Sequence, residues 1–336
     1  MKKFLFLALA VALIISFMLA SGFYNFCVTP HPQPLLPVIV NIPQGSSLKK
    51  ISYILEEKDV IEGSFKFMLL ARLKNAEHNI KSGEYSITGP MSANEILDKL
   101  TRGEVITHAV TIPEGSTVFD IARIVEQVGH GSADLILQKA NDAAFIKSLG
   151  LDYESLEGFL FPDTYKFSKG TVPEVILEKM VARFKEVFYP ELKGRVAESG
   201  LSEKDLITLA SLVEKETALH SEKPLIAAVF LNRLKKRMRL ECDPTVVYGL
   251  KLEKPEFRSR LKKKHLLKKT PYNTYQVFGL PPGPICNPGL ESIKAVLRPA
   301  RGNNYLYFVS MNNGAHKFSR TLKEHNRAVA QYQKRQ

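Results

Sequence analysis

Two glutamates separated by one residue, Glu214 and Glu216, stand in the segment Leu206-Ile-Thr-Leu-Ala-Ser-Leu-Val-Glu-Lys-Glu-Thr217. At 100° per residue the segment reads as a helix with Leu206, Leu209, Ala210, Val213 and Thr217 along one stripe. Glu214 and Glu216 fall on opposite shoulders of that stripe, and Lys215 points away from it. Either carboxyl can lean on apolar walls, where lost solvation raises its pKa toward neutrality. A carboxyl tuned in this way can give a proton to a leaving group as a general acid. The same Glu-Lys-Glu also suits a plain polar helix end, so residue type and spacing leave both readings open.

Downstream lies a polar set embedded in turns: Asp243-Pro-Thr245-Val-Val-Tyr248, Tyr272-Asn273-Thr274-Tyr275 and Asn287-Pro-Gly289. Loops dense in Tyr, Asn and Thr and stiffened by proline and glycine suit sugar binding. Tyrosine rings stack on pyranose faces, while amides and hydroxyls pair with ring substituents. The three cysteines, Cys27, Cys242 and Cys286, are no disulfide framework and read as free small residues, with a Cys242–Cys286 pair outside the cytosol the open alternative. No His/Cys cluster has metal-ligand spacing, so neither a metal nor a cofactor is expected.

The elements that must position these residues follow from the rest of the chain. At 336 residues it can form two or three folded units, each with its own core. Its net charge of +13 suits anionic partners, either acidic lipid or a cell-wall polymer. With no RNP box, zinc-finger spacing or basic zipper, nucleic acid is not an expected partner. Lys2 and Lys3 precede an apolar run, Phe4–Ala20, extended by Gly22, Phe23 and Tyr24 to about the 20 residues needed to cross a bilayer. The run exceeds a usual signal-peptide core, which favours an anchor over a cleaved signal. Lysines on the near side only predict a cytoplasmic N-terminus and an exported body. Residues 28–37 carry four prolines and read as a stiff spacer.

An internal repeat comes next: Asn41-Ile-Pro-Gln-Gly-Ser-Ser-Leu48-x-x-Ile51 recurs as Thr111-Ile-Pro-Glu-Gly-Ser-Thr-Val118-x-x-Ile121. Each reads as a strand, a Pro/Gly turn, a Ser or Thr cap and an amphipathic helix. Ser82-Gly-Glu-Tyr-Ser-Ile87 with helix 94–100, and Glu157–Phe167 with helix 173–184, complete two strand–helix–strand–helix units. Beyond Leu201 follow helices to about Leu219 and from Lys223 to about Lys236, then turns. A Lys- and Arg-rich stretch at 251–270 reads as a solvated basic loop. A helix over Leu290–Leu297, a strand over Tyr305–Ser310 and a last helix from Leu322 end the chain.

Several of these segments resemble one known family. They are Leu209-Ala-Ser-Leu-Val-Glu-Lys-Glu-Thr217, Val229-Phe-Leu-Asn232-Arg-Leu234, Met238-Arg-Leu-x-x-Asp-Pro-Thr-Val-x-Tyr-Gly249, Tyr272-Asn-Thr-Tyr275, Gly279-Leu-Pro-Pro-Gly283 and Asn287-Pro-Gly289. With Leu156-Glu-Gly-Phe-Leu-Phe-Pro-Asp163-Thr-Tyr165 and the single N-terminal span, they closely resemble the endolytic murein transglycosylases, the YceG-like, MltG-type group. The resemblance covers roughly residues 38–330 in order. It departs only at Glu241-Cys242 and at Cys286.

The resemblance implies an inner-membrane enzyme with its body on the periplasmic side and a LysM-like subdomain before the catalytic domain. It implies cleavage of the MurNAc–GlcNAc β-1,4 bond inside nascent glycan strands, without water as nucleophile. The family's essential glutamate falls on Glu214. Glu216, Asn232, Asp243, Thr245, Tyr248, Tyr272, Asn273, Thr274, Tyr275, Asn287 and Asp163 are the expected supporting or substrate-binding positions. The expected fold is α+β: a transmembrane helix, a duplicated LysM-like strand/helix region and a mixed catalytic domain. Its expected segments are 1–24 anchor, 25–37 spacer, 38–108 LysM-like unit, 109–195 second repeat-like unit and 196–336 catalytic domain. Expected partners are peptidoglycan strands, the membrane and peptidoglycan synthases. The competing reading is a non-catalytic, membrane-anchored wall-binding scaffold. Spacing alone leaves a hydrolase with a second carboxylate open as well.

Overall fold

The computed structural model describes residues 2–32, 36–257 and 260–333. Parts of the expected spacer (33–35) and of the basic loop (258–259) lie outside the described residues. The fold is mixed α+β and divides into two units. One is Met1–His108 with Lys166–Gly170, the other Ala109–Tyr165 with Thr171–Gln336.

The first unit opens with α1 (Lys2–Val28), a helix long and apolar enough to cross a membrane. The helix does not stop where the apolar run thins at Tyr24. Cys27 is 7 % exposed and packs into the unit's core, with Phe23 and Phe26 against it. The Thr29 N–H closes the last turn on the Asn25 carbonyl, and the His31 N–H bonds to the Met91 carbonyl. Residues 25–31 are therefore docked to the unit, where 25–37 was expected to be a stiff spacer.

Next come β1 (Val38–Ile42), α2 (Leu48–Glu57), α3 (Ser64–Leu73), β2 (Gly83–Ile87) and α4 (Ala93–Arg102). β1 and β2 are antiparallel in a register that sets Val40 opposite Tyr85. The alternation of β2 turns Tyr85 and Ile87 inward, and the Tyr85 hydroxyl donates to the carbonyls of Lys81 and Leu100. Ser47 caps α2, and a Ser92/Glu95 capping box starts α4. α3 is absent from the sequence reading because it is apolar on two faces and lacks amphipathic contrast.

β3 (Thr107–Thr111) then leads through α5 (Val118–Gln127), α6 (Ala133–Ala140) and α7 (Ala143–Ser148) to its partner β4 (Thr164–Ser168). α8 (Pro173–Ser199) follows, longer than the expected 173–184. Each half thus carries more helix than the expected strand–helix–strand–helix: α3 in the first, α6 and α7 in the second.

The remainder of the second unit is α9 (Glu203–Glu216), α10 (Lys223–Lys235), α11 (Asp243–Glu253), α12 (Lys263–Leu266), α13 (Leu290–Leu297), β5 (Tyr307–Ser310), β6 (His316–Ser319) and α14 (Leu322–Tyr332). α9 is the pivot. Every residue from Leu206 to Val213 is buried, because α10, α11 and α13 all pack on it. The stripe read from the sequence is thus only one of its buried faces. Asp243–Tyr248, read as a turn, is the first part of α11; Pro244 is tolerated in a first helical turn, which has no N–H partner to lose.

Arg233 ties this unit together. Its guanidinium, 9 % exposed, donates to the carbonyls of Arg239, Leu240 and Leu306 and to the Glu241 carboxylate. The neighbouring Asn232 amide donates to the Tyr305 carbonyl at 3.0 Å, so it anchors the approach to β5.

Candidate active site

Glu214 sits in the last turn of α9 with 7 % of its side chain exposed. Its carboxylate lies at the N-terminus of α13. The Gly289 N–H donates to Oε2 at 3.0 Å and the Ser292 hydroxyl at 2.6 Å. The first is a backbone donor left unsatisfied at a helix start, which favours an anion there. The Lys223 ammonium, 2 % exposed, approaches Oε1 at 3.1 Å and Oε2 at 3.2 Å. Lys223 opens α10, where the helix field opposes a cation. Carboxylates must outweigh that, and Glu114 from the second Pro-x-Gly turn supplies another at 3.8 Å. The Glu114 carboxylate fills the space above Gly289: a Cβ there would stand 1.9 Å from Oε1. Sequence reasoning missed Lys223, Ser292 and Glu114. Their only signal is proximity, which a sequence of this spacing does not carry.

Glu216, 200° further round the helix, faces a different neighbourhood. The Cys242 thiol hydrogen-bonds its carboxyl, and burial raises its pKa, with Asp243 pushing the same way. The burial-raised pKa expected for either carboxyl is thus found at Glu216, whereas Glu214 meets a cation. Asp243 accepts the Tyr275 hydroxyl at 2.7 Å. Thr245 and Thr274, both fully buried, join hydroxyls at 2.9 Å, and Thr274 accepts the Cys242 N–H at 3.0 Å. The Tyr272–Tyr275 segment is therefore sewn to the start of α11. Asn273 is buried too; its amide donates to the Leu266 and Lys268 carbonyls at 3.0 and 2.6 Å, closing the basic loop.

Asn287 is wholly buried and fully engaged. Its Oδ1 accepts the Gly158 and Leu160 N–H groups at 2.9 and 2.8 Å. Its Nδ2 donates to the Ser116 carbonyl and to Glu157, each at 3.0 Å. It thereby fixes the turn carrying Glu114 and the segment carrying Glu157. Gly158 is required here: its φ is +91°, and a Cβ would come within 2.7 Å of the Pro284 ring. Asn287→Ala leaves two buried N–H groups unpaired and is expected to cost about 2–3 kcal/mol in urea unfolding.

Glu157 caps α5 through the Val118 N–H at 3.0 Å and also takes the Tyr248 hydroxyl. Tyr248 stacks obliquely on Tyr272, ring centres 5.0 Å apart. Burial lifts the Glu157 carboxyl from 4.5 to about 8 against those hydrogen bonds. In the unfolded chain the group loses its proton near 4.5, whereas in the fold it keeps it. The stability it adds is therefore complete below 4.5 and is lost as pH rises through about 8. Urea unfolding should show wild-type stability falling between about pH 5 and pH 8, and Glu157→Gln should flatten that slope. Asp163 lies apart from these clusters in its bonding, as the ion-pair partner of Arg183 at 2.8 Å.

The site is thus a nearly enclosed carboxylate gripped through one oxygen by a helix start and a hydroxyl, with a buried lysine across both. All three cysteines are free. Among the described residues, no group of His, Cys, Asp and Glu could hold a metal ion.

A sequence model of the YceG-like family matches residues 40–331. An endolytic murein transglycosylase of Bacillus subtilis is 35 % identical over 313 residues, covering 88 % of this chain and 84 % of the relative. One from Streptococcus pneumoniae is 28 % identical over 333 residues; the match covers 88 % of this chain but only 58 % of that longer protein. The crystal structure of a putative YceG-like protein from Listeria monocytogenes superposes with a TM-score of 0.61 at 34 % identity. That match covers 88 % of this chain and all of the other.

Proposed function

The chain belongs to the YceG-like family, and on that premise we propose that it is an endolytic murein transglycosylase. It cuts the MurNAc–GlcNAc β-1,4 bond within glycan strands and leaves 1,6-anhydro-MurNAc ends. The observation that carries the catalytic assignment is the unequal grip on Glu214. Oε2 accepts from Gly289, Ser292 and Lys223, while Oε1 faces Lys223 alone. Oε1 is therefore the oxygen with a lone pair left for a travelling proton.

In this reading Glu214 protonates the glycosidic oxygen as the C1–O bond breaks toward an oxocarbenium-like state. The carboxylate so formed is held by the same three donors. It then takes the proton of the MurNAc C6 hydroxyl as O6 closes on C1. The proton count balances without water, and the intramolecular nucleophile needs no second catalytic carboxylate. Glu114 rather than Asp243 is the acid that shares a cation with Glu214, so it is the first position to test should the chemistry prove hydrolytic. Asp243, Tyr272 and Tyr275 border the glycan, while Glu216, Tyr248, Asn287, Asn273, Thr245 and Thr274 hold the elements that shape the site.

The repeated Pro-x-Gly turns and the shared strand–helix–helix order support a duplicated LysM-like region whose first unit, 38–108, grips the strand. Glu114 and Glu157 come from the second repeat, so the catalytic body runs from 109, wider than the 196–336 of the sequence reading. α1 anchors the chain in the cytoplasmic membrane; Lys2 and Lys3 set its N-terminus inside and the body outside. A cutter held there works beside peptidoglycan synthases and ends strand growth. The test is digestion of purified peptidoglycan by the detergent-solubilised full chain, with mass analysis of the products. Anhydro ends are the expected result; new reducing ends, or no cleavage of several wall substrates, would overturn it.

A further inference from the structure

Helix α3 of the first unit is apolar on two opposite sides. Phe67, Leu70 and Ala71 fill the core, at most 4 % exposed. Phe65, Leu69 and Leu73, four residues apart and so on one stripe, are 72 %, 39 % and 65 % exposed. Within one unit, a stripe of large side chains facing outward from a well-packed helix needs a covering.

What lies beside it identifies the covering. The Lys66 ammonium stands over the Phe26 ring at 5.5 Å, so the start of α3 is level with the last turns of α1. If Phe4–Phe23 crosses the hydrocarbon, Phe26 lies about 4.5 Å beyond it, at headgroup depth. Tyr24, 66 % exposed, stands at the same boundary, where aromatic side chains with a polar tip settle. The burial of Cys27 and the docking of Phe23 and Phe26 fix this height, since α1 enters the core of the unit that contains α3. Of the basic residues on α3 and just past it, Arg72 faces Glu77 at 3.6 Å and Lys74 faces Asp98 at 3.4 Å. Lys66 stands over the Phe26 ring and, among the described residues, forms no ion pair, which leaves its charge for a lipid phosphate. Apolar side chains flanked by cations are the composition of a helix lying in a membrane interface.

We propose that the Phe65–Leu69–Leu73 face of α3 lies in the headgroup layer of the bilayer that α1 crosses, so that the first unit is seated on the membrane. The proposal rests on α1 being a membrane anchor, and the test separates the two. The chain contains no tryptophan, so one introduced indole reports alone. Phe65→Trp, Leu69→Trp and, within the span, Phe17→Trp are each made in the full chain. Each is reconstituted into phosphatidylcholine/phosphatidylglycerol vesicles with or without bromine on the acyl chains. Seated α3 gives blue-shifted emission and roughly twofold or greater quenching by brominated lipid at positions 65 and 69, as at 17. Quenching at 17 without quenching at 65 and 69 overturns the proposal and leaves the anchor standing. No quenching at any position removes the anchor and the proposal together. These substitutions keep a large apolar side chain on an exposed face, so the fold is retained.

Discussion

Glu214→Gln is expected to slow glycan cleavage by a factor of about 10²–10⁴, the usual worth of a general acid–base group, while the protein stays folded. The amide keeps an oxygen in the position of Oε2, so the Gly289 N–H and the Ser292 hydroxyl retain an acceptor. What it loses is the exchangeable proton and the charge opposite Lys223. Cleavage measured by release of anhydro-muropeptides, alongside a thermal unfolding curve, separates the two consequences. A variant that unfolds early would show Glu214 to be chiefly the buried partner of Lys223. One that retains its melting point and its activity would return the chain to the wall-binding scaffold.

Lys223→Met is expected to be the most destabilising single change at the site. The lysine is 2 % exposed and is paired with a Glu214 side chain that is 7 % exposed. Removing one partner of a buried pair leaves the other charge uncompensated, at a cost of about 3–5 kcal/mol. The double variant Glu214→Gln/Lys223→Met removes both charges and should recover a good part of that loss in urea unfolding. If the two single effects simply add, the pair is not coupled and the short distances carry little energy. Activity gives a second readout. Without Lys223 the carboxylate formed in the first proton transfer has lost its strongest partner, so turnover should fall further than substrate affinity does.

The sequence made some of this visible and hid the rest for physical reasons. Cap and turn chemistry is local, so the starts of α2, α5 and α9 could be read from Ser47, Thr117 and Ser202. The 3.6-residue period separated Glu214 from Glu216, and the fold gives them different neighbours accordingly. Periodicity failed where a helix is apolar on more than one face, as α3 is, and where Asp243-Pro244 imitates a turn at a helix start. Polar residues read as sugar ligands divide in the structure. Asp243 and Tyr275 lie at the surface of their cluster, but Asn287 and Asn273 are spent on backbone groups. A polar side chain in a proline-rich turn has the same sequence signature whether it faces a ligand or a carbonyl. Lys223 was hidden for a related reason: nine residues separate it from Glu214, and only the bend between α9 and α10 brings them together.

The continuity of α1 into the first unit bears on what happens if the protein is cut from its anchor. A protease acting near residue 28 would take away Phe23, Phe26 and Cys27, which are part of a hydrophobic core and more than a leash. The shed fragment would carry a wound in its first unit. Such a cut would release and disable that unit in one stroke, confining its full strength to copies still rooted in the bilayer.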